Sequence, residues 1–317
     1  MKVLVTGGAG FIGSHLAEYY VNKRHEVVII DNLSTGSLDN VSQLDIQLHI
    51  DTILNKNLMI ELVSKADIVY HLAAAVGVKY ILENPLESIK TNIQGTEIVL
   101  NLCSILQKRV LITSSSEVYG KHQHAPLVET DNSIYGPSNK SRWSYAASKL
   151  IDEFTALAYH RTQGLEVVIA RLFNTTGPRQ TGAYGMVVPT LVKQALHNES
   201  LTVYGSGSQT RTFTYVDDIV KCLVALMETD KAVGEVFNVG GTEEVSINDL
   251  AYRINNKIHI GFNKTKHIPY SEAFEKDFED MQRRVPCLKK LERIIGFKPT
   301  TDLNTILDKV IRGYQGT

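Results

Sequence analysis

The sequence has few cysteines, almost no excess charge and no long apolar runs, and each shortage excludes a class of protein. Its 317 residues contain three cysteines, Cys103, Cys222 and Cys287, whose spacing fits neither a disulfide framework nor a metal site. The formal net charge is −1, so no basic excess indicates a nucleic acid partner. No apolar run approaches the ~18 residues that a membrane span needs. We therefore expect a protein without metal, nucleic acid or membrane partners.

The N-terminus also lacks the features of a secretory signal. Met1 leads directly into an apolar run, with no basic segment and no small-residue cleavage site. Together with the scattered cysteines, this predicts a cytoplasmic protein. With 43% hydrophobic and 21% charged residues, the chain is long enough to bury a large core in one or two domains.

Apolar β-branched runs alternate along the chain with segments of helical period. Five runs predict buried strands: KVLVT, EVVIID, ADIVYHLA, RVLITSS and LEVVIARLF. The alternation predicts an α/β fold, a Rossmann-type doubly wound parallel sheet with helices on both faces. From about NTTGPRQTG onward, short elements broken by Gly and Pro indicate a smaller, interleaved C-terminal domain. We place the first domain at residues 1–173, with about 212–242 returning to it, and the second mainly at 174–317.

A glycine-rich turn, VTGGAGFIGSH, follows the first predicted strand. Gly7 permits a tight turn, Gly10 a close approach of the backbone to a ligand, and Gly13 close packing of the helix expected at 14–22. The N-terminus of such a helix faces the pyrophosphate in dinucleotide-binding folds. Glycines in a strand-to-helix turn can also serve packing alone, so the motif needs a second indication.

The second predicted strand supplies that indication. It ends in Asp31, within the ~20-residue window where a carboxylate accepts hydrogen bonds from an adenosine ribose, and no arginine follows to favour a 2′-phosphate. NAD is therefore preferred over NADP. The alternative for Asp31 is a cap of the following loop, NLSTG. Asp51, where the third strand is expected to end, is either part of the adenine pocket or only a turn residue.

A tyrosine and a lysine offer chemistry at the far end of such a cofactor. In SYAASK, Tyr145 and Lys149 lie four residues apart on a predicted helix and so share one face. An ammonium group beside a phenol lowers the phenol's pKa towards that of a usable base. The strand in LITSSSEVYG ends at the carboxyl edge of the sheet, where doubly wound folds bind ligands, and offers hydroxyl groups and Glu117.

With these motifs the chain resembles the extended short-chain dehydrogenase/reductases that modify nucleotide sugars. The resemblance covers nearly the whole chain and rests on GGAGFIG, HLAA, TNIQGT, SSSEVYG, YAASK, RLFNTTGPRQ, LTVYGSGSQTRTFTYVDD and RRVP. It implies NAD as the cofactor and a UDP-sugar as the substrate, held mainly by the second domain. It also implies a homodimer.

The resemblance further implies roles for individual residues. Ser115 and Tyr145 hydrogen-bond the 4-hydroxyl of the sugar, Tyr145 removes its proton, and Lys149 also holds the nicotinamide ribose. The expected catalytic residues are Ser115, Glu117, Tyr145 and Lys149. The expected cofactor-binding residues, including those named above, are Gly7, Gly10, Phe11, Ile12, Gly13, Asp31, Asn32, Asp51, Leu72, Ala73, Ala74, Asn92, Tyr145 and Lys149. The expected substrate-binding residues are Asn174, Arg179, Val188, Tyr204, Arg211 and Arg284, although each arginine is alternatively a solvated or ion-paired surface side chain.

The reaction that follows oxidation at C4 depends on Glu117. Sugar 4-epimerases of the family usually carry a neutral residue there, whereas similar dehydratases and decarboxylases carry Glu. Ser116 stands where many dehydratases place Asp, so the acid/base pair that expels a 6-hydroxyl is incomplete. A ketone at C4 turns a C6 carboxylate into a β-keto acid, which loses carbon dioxide readily. We therefore favour decarboxylation of UDP-glucuronic acid or a sugar of that uronic acid type.

Other functions remain open at this point. Ser115 replaces the usual Thr of decarboxylases, and Asp217 stands where one of them has arginine, so a 4-epimerase acting on UDP-glucose, UDP-N-acetylglucosamine or UDP-glucuronic acid is the alternative. A 4,6-dehydratase is less favoured. Glu117 is either an acid/base group or a carboxylate tied to backbone amides. A silent NAD-binding scaffold is disfavoured by the complete set of Ser115, Tyr145 and Lys149.

Overall fold

The computed structural model describes residues 1–141, 143–182, 186–259, 264–273 and 281–315, and the elements below are those of that part of the chain. The strands are β1 (Lys2–Thr6), β2 (Glu26–Asp31), β3 (Gln47–Ile50), β4 (Ile68–His71), β5 (Arg109–Ser115), β6 (Val167–Leu172), β7 (Thr175–Thr176), β8 (Leu201–Tyr204), β9 (Thr210–Thr212), β10 (Thr214–Tyr215), β11 (Val236–Val239), β12 (Glu244–Ser246), β13 (Thr265–Ile268) and β14 (Arg283–Arg284). The α-helices are α1 (Phe11–Asn22), α2 (Lys56–Lys65), α3 (Val78–Glu83), α4 (Pro85–Ile105), α5 (Trp143–Gln163), α6 (Val187–Leu196), α7 (Val216–Glu228), α8 (Ile247–Ile258), α9 (Tyr270–Ala273), α10 (Lys289–Ile295) and α11 (Leu303–Gln315). Short 3-10 helices cover Leu38–Asn40, Ser116–Tyr119 and Asp230–Ala232.

Seven of the described strands form one parallel sheet in the order β3-β2-β1-β4-β5-β6-β11. The chain runs outward from β1 to β3, returns to β4 on the other side of β1, and runs outward again to β11. The direction of winding therefore changes between β1 and β4. Ligands of open α/β sheets bind outside the carboxyl ends of the strands at such a point. The predicted doubly wound α/β fold is confirmed.

Alternating side chains of the central strands build a core on each face of the sheet. Val3 and Val5 of β1 join a cluster with α1, α7 and α10, whereas Leu4 joins a cluster with α2, α4 and α5. Because both faces are covered, each strand is apolar at successive positions. Full burial of one such side chain stabilises the fold by about 1.5–3 kcal/mol.

A third cluster lies among helices α6, α8 and α11 and the strands β8, β10 and β12. Its members come from the chain after Leu172, apart from the partly buried Phe11 and Ile12 that pack against it. Helix α7 and strand β11 lie between these segments in sequence and yet belong to the layers of the central sheet. The domain boundary near residue 173 stays a prediction. Among the described helices, none combines the length and apolar composition needed to cross a bilayer.

Candidate active site

The turn between β1 and α1 needs glycine at two positions for reasons of space. Gly7 has φ +70°, and a Cβ added there would lie 2.7 Å from the Ala73 nitrogen. A Cβ on Gly13 would lie 2.2 Å from the Gly7 oxygen, so any side chain would force the turn away from the helix. A Cβ on Gly10 would meet only the Gly7 oxygen, at 3.1 Å. Gly10 therefore leaves the backbone without a side chain directly before the N-terminus of α1.

Asp31 closes one side of this turn. Its carboxylate oxygens accept hydrogen bonds from the Ala9 amide at 2.9 Å and the Leu33 amide at 2.8 Å. Burial raises the pKa of Asp31, and the hydrogen bonds from the Leu33 and Ala9 amides oppose that rise. Asp31 thus caps the following loop, as the alternative from the sequence supposed, and at the same time fixes the glycine turn.

The segment after β4 forms the facing wall of the same crevice. The Leu72 amide donates to the Thr6 carbonyl at 3.1 Å, and the Ala73 amide donates to the Thr6 hydroxyl at 3.2 Å. Asn92 of α4 holds the next turn, since its side chain accepts from the Ala75 amide at 2.8 Å and donates to the Ala75 carbonyl at 3.3 Å. Ala74 lies between these two anchored residues and is partly buried.

Three further candidates for cofactor binding have local partners. Phe11, in the first turn of α1, packs edge to face against His15 with 5.9 Å between ring centroids, and Ile12 beside it is partly buried. Asn32 is exposed and accepts a hydrogen bond from the Ser34 amide at 3.1 Å. The Asp51 carboxylate accepts from the Thr52 amide and from Asn55, each at 2.7 Å, as a turn residue does.

The structure brings Ser115, Glu117 and Tyr145 together at the end of β5. The Glu117 amide donates to the Ser115 hydroxyl at 3.2 Å, and the Ser115 side chain lies close enough to the Tyr145 phenol to lower its pKa. Lys149 lies on the same helix as Tyr145, one turn further along, and its Nζ is 3.4 Å from the Asp152 carboxylate. A hydroxyl, a phenol and a carboxylate thus meet at the carboxyl edge of the sheet, where proton transfer to and from a bound sugar is feasible.

The electrostatic state of Tyr145 differs from the expectation. Burial raises the pKa of Tyr145, the negative charges of Glu117 and Asp152 add to that rise, and the hydrogen bond from Ser115 opposes it. The Lys149 ammonium was expected to lower the pKa of the phenol. Instead, its charge is offset by the carboxylate of Asp152 beside it.

Two buried arginines face this group from the second part of the chain. Arg211 of β9 and Arg284 of β14 are register partners in a parallel pair, and each is 7% exposed. Arg284 forms an ion pair with Glu117, with 2.7 Å between Nη2 and Oε1. Arg211 donates to the Thr210 carbonyl at 2.8 Å. Two adjacent guanidinium groups form a place where a doubly charged anion is favoured.

The other candidates for substrate binding are spread more widely. Asn174 donates to the Thr212 carbonyl at 3.0 Å, and Tyr204 lies at the end of β8 with 39% of its surface exposed. Arg179 forms an ion pair with Glu18 of α1 at 2.7 Å. Val188 is 1% exposed and packs within the third core cluster.

A buried polar network behind Ser115 was not expected from the sequence. The guanidinium of Arg171 pairs with both carboxylate oxygens of Glu153, at 2.9 and 2.7 Å, and Ser114 donates to the same carboxylate at 2.5 Å. The Tyr119 ring lies against Arg171, at 4.8 Å from the ring centroid. The clue in the sequence was charge in otherwise apolar surroundings: Arg171 interrupts the strand run VVIARLF, and Glu153 follows the YAASK motif by one turn.

Comparison with known proteins is consistent with this geometry. The family model described as GDP-mannose 4,6 dehydratase matches residues 4–310. The UDP-N-acetyl-alpha-D-glucosaminuronate decarboxylase of Bacillus cytotoxicus is 41% identical over 317 residues, which are 99% of this chain and 98% of that protein. UDP-glucuronic acid decarboxylase 1 of Xenopus tropicalis is 37% identical, over 99% of this chain and 72% of the relative. The crystal structure of UDP-glucuronic acid 4-epimerase from Bacillus cereus with UDP-glucuronic acid and NAD superposes with a TM-score of 0.88 at 31% identity, covering 100% of this chain and 99% of that one.

Proposed function

The chain belongs to the GDP-mannose 4,6 dehydratase family, and from that premise we propose that it is an NAD-dependent enzyme that decarboxylates a UDP-linked uronic acid. The sugar named in the relative at 41% identity, N-acetylglucosaminuronic acid, is the first candidate substrate. Glucuronic acid, named in relatives such as the one at 37% identity, is the second. The observation that carries the proposal is the meeting of Ser115, Glu117 and Tyr145 opposite two buried arginines.

The crevice between β1 and β4 fits a dinucleotide. The backbone before α1 carries no side chain at Gly10, where a Cβ would lie 3.1 Å from the Gly7 oxygen, and the helix N-terminus beyond it favours a pyrophosphate. Asp31, fixed at the end of β2, is the group for the adenosine ribose. Leu72, Ala73 and Ala74 form the opposite wall, and Asn92 keeps that wall in place. NAD, when bound there, accepts a hydride from sugar C4 and later returns it.

Tyr145 is the group that we assign to the sugar's 4-hydroxyl. The Ser115 side chain lies beside this phenol and lowers its pKa, so we expect the two residues together to hold one hydroxyl between a base and a second hydrogen-bond partner. Lys149 supplies the positive charge on the same helix face. Tyr145 accepts the proton of O4 when C4 is oxidised, and returns a proton to O4 when the ketone is reduced.

Loss of carbon dioxide occurs between those two proton movements. The C5–C6 bond breaks, its electron pair moves towards the C4 ketone, carbon dioxide leaves, and C5 takes up one proton that comes ultimately from water. We assign delivery of that proton to Glu117, whose amide donates to Ser115 and whose charge acts on Tyr145. Delivery of a proton by a positioned carboxyl group typically contributes ~10²–10⁴-fold to a rate.

The nucleotide diphosphate is assigned to Arg211 and Arg284. Both side chains are buried at register-paired positions of β9 and β14, and a diphosphate bound there would accept charge-assisted hydrogen bonds from them, with Arg284 also paired to Glu117. Asn174 and Tyr204, which were expected from the sequence to bind the substrate, remain candidate contacts to the nucleotide. Arg179 pairs with Glu18 of α1, and Val188 packs in the third core cluster. We therefore propose that these two side chains support the structure around the site and do not contact the substrate.

We also propose that the protein forms a homodimer through helices α4 and α5. Helices α4 and α5 pack against each other, and they expose Leu86, Ile89, Ile151 and Phe154, of which Leu86 is 65% and Phe154 58% exposed. Exposed apolar side chains on adjacent helices are typical of an interface. Sedimentation of the purified protein at micromolar concentration is expected to give twice the mass of the chain.

A single-turnover experiment tests the proposed reaction. Enzyme in excess over UDP-N-acetylglucosaminuronic acid, with NAD bound, should show a rise and fall of absorbance at the NADH band. Tyr145→Phe removes the proton acceptor and should abolish both phases. Tyr159→Phe, on the same helix and hydrogen-bonded to Asn101 at 3.1 Å, is the matched control and should behave as the wild type. Full turnover by Tyr145→Phe would contradict the assignment.

A 4-epimerase is the second candidate, and Asp217 favours it. Asp217 stands where an arginine is expected in one type of decarboxylase, and its carboxylate lies 3.5 Å from Nδ1 of His15 on α1. The structural neighbour with UDP-glucuronic acid and NAD is itself a 4-epimerase. The two reactions differ in product mass, since epimerisation leaves the mass of the sugar unchanged.

A further inference from the structure

A buried carboxylate lies beside Lys149 and has no counterpart in the mechanism above. The side chains of Lys149 and Asp152 are each 3% exposed, and 3.4 Å separates Nζ from Oδ2. Within the described residues, Oδ2 of Asp152 has no hydrogen-bond donor, so the contact with Lys149 is an ion pair without a well-aligned hydrogen bond. A charged group this deeply buried is costly unless it is paired. Packing alone therefore does not explain why a carboxylate is buried at position 152.

Asp152 also lies beside a chain of buried hydrogen bonds. The Thr96 hydroxyl of α4 faces the Asp152 carboxyl and lowers its pKa. Thr96 is 3.0 Å from Nε2 of His71, and Nδ1 of His71 is 2.8 Å from the Thr6 hydroxyl. The Ala73 amide, in the wall of the cofactor crevice, donates to that Thr6 hydroxyl.

The carboxylate sets the direction of this chain. An ionised carboxylate only accepts hydrogen bonds, so Thr96 donates to Asp152 and accepts from Nε2–H of His71. His71 then carries no proton on Nδ1, which accepts from the Thr6 hydroxyl. One charged group thus orients the hydroxyls of Thr96 and Thr6, between α5 and the strand ends that face the cofactor.

The charges around Asp152 identify its partner. Burial lowers the pKa of His71 to about 3, so His71 is neutral. Burial raises the pKa of Asp152, the Lys149 charge lowers it, and the negative charge of Glu153, next along α5, adds to the rise. Glu117 faces Tyr145 from the end of β5. Lys149 is therefore the cation that balances Asp152 in the described part of the chain.

We infer that Asp152 is a positioning residue for the proposed reaction. Its buried carboxylate holds the Lys149 ammonium at the base of the site and thereby sets the pH range in which Tyr145 works. This inference rests on the proposed roles of Tyr145 and Lys149, and on the contacts of Asp152 with Lys149 and Thr96.

Removal of the Asp152 charge should change the pH profile of the enzyme. A negative charge raises the pKa of each ionisable neighbour, and removing it lowers them. Asp152→Asn keeps the shape and an acceptor oxygen for Thr96 but removes the charge. Both limbs of the profile of kcat/KM against pH should therefore move to lower pH, by about one unit or more.

Two variants control for effects of packing. Asp152→Glu keeps the charge and should leave both limbs where the wild type has them, whatever it does to the maximum rate. Glu97→Gln removes one carboxylate from the exposed side of α4, next to Thr96, and should change neither limb. A residue with a structural role only would lower the rate in Asp152→Asn at every pH without moving the limbs, and that result would overturn the inference.

A measurement on the cofactor-free protein separates this inference from the proposed function. Lys149→Met leaves the Asp152 carboxylate buried without its cation, whereas Lys149→Met combined with Asp152→Asn removes both charges. In urea at pH 7.5, the single Lys149→Met variant should unfold at a lower midpoint than the double variant. Equal midpoints would show that the two side chains do not interact and would overturn the inference, even if the enzyme decarboxylates UDP-uronic acids. The expected midpoints together with no activity on any UDP-sugar would instead contradict the proposed function.

Discussion

Glu117 makes two contacts at the centre of the site, and they predict different effects when its charge is removed. Its amide is part of the Ser115 turn, and its carboxylate pairs with Arg284. If the carboxyl group delivers the proton to C5, Glu117→Gln should lower kcat by ~10²–10⁴-fold and let NADH accumulate. If the group only holds Arg284, the same substitution should raise KM and leave kcat nearly unchanged.

We expect the loss in kcat, measured with UDP-N-acetylglucosaminuronic acid under saturating conditions. Glu244→Gln is the matched control, because Glu244 pairs with the neighbouring Arg283 at 2.7 Å but lies on the exposed side of the same small sheet. It should leave kcat unchanged. An unimpaired kcat in Glu117→Gln would remove Glu117 from the proton chemistry.

At the scale of single residues, sequence motifs predicted which side chains belong to the site, but they did not predict which side chains pair with each other. Tyr145 and Lys149 share a helix face, as their spacing predicts, and Ser115 ends the expected strand. The ion pairs of Glu117 with Arg284 and of Lys149 with Asp152 were not predicted. The first joins residues distant in sequence, which spacing cannot reveal. The second was visible as an acid one turn after the lysine, but its burial depends on how α4 packs against α5.

The helix that follows the glycine turn offers a test at the scale of elements. In Gly13→Ala the new Cβ would collide with the Gly7 oxygen, 2.2 Å away, and with the Gly8 Cα, 2.7 Å away. Both are backbone atoms, so the turn must move. We expect a loss of about 1–3 kcal/mol in the free energy of unfolding and a large loss of NAD affinity by calorimetry.

Gly313 in α11 is the matched helical glycine. A Cβ there would meet Pro178 at 3.6 Å, an ordinary contact. Gly313→Ala should therefore gain up to about 1 kcal/mol, as expected for Gly→Ala in a helix, and leave NAD affinity unchanged. Equal stability losses in the two variants would show that the close packing at Gly13 is not what limits substitution.

The strands of the central sheet were the elements best predicted from the sequence. KVLVT, EVVIID and RVLITSS coincide with β1, β2 and β5. ADIVYHLA and LEVVIARLF are longer than β4 and β6, since the residues at both ends of each run lie in the connections although most of them are apolar. The short paired strands after residue 173 were recognised only as a change of pattern. Strands of two to four residues carry too few positions to show a period.

At the scale of the whole molecule, Asp152 affects stability as well as the site. Burial raises the pKa of Asp152 from 3.8 to about 6, and the Lys149 charge only partly opposes that rise. The folded state therefore binds this proton more tightly than the unfolded chain. The contribution of Asp152 to stability is fully present below about pH 4 and is lost as the pH rises through about 6.

The difference in free energy of unfolding between wild type and Asp152→Asn isolates this contribution, because the other ionisable groups largely cancel. Urea unfolding from pH 4 to pH 7 should show the wild type losing up to about 3 kcal/mol relative to the variant. A difference that does not change with pH would show that Asp152 titrates as in the unfolded chain. The predicted fall in the free energy of unfolding as the pH rises means that the ion pair with Lys149 lowers stability, as buried ion pairs often do.

Mass spectrometry of the product formed from UDP-N-acetylglucosaminuronic acid tests the central claim most directly. The cofactor crevice, the three groups at the end of β5 and the two buried arginines predict a UDP-sugar lighter by one carbon dioxide, with no net consumption of NAD. UDP-glucuronic acid, tested in parallel, should also lose carbon dioxide if the site accepts either sugar. A product of unchanged mass from both substrates would contradict decarboxylation and identify the enzyme as a 4-epimerase.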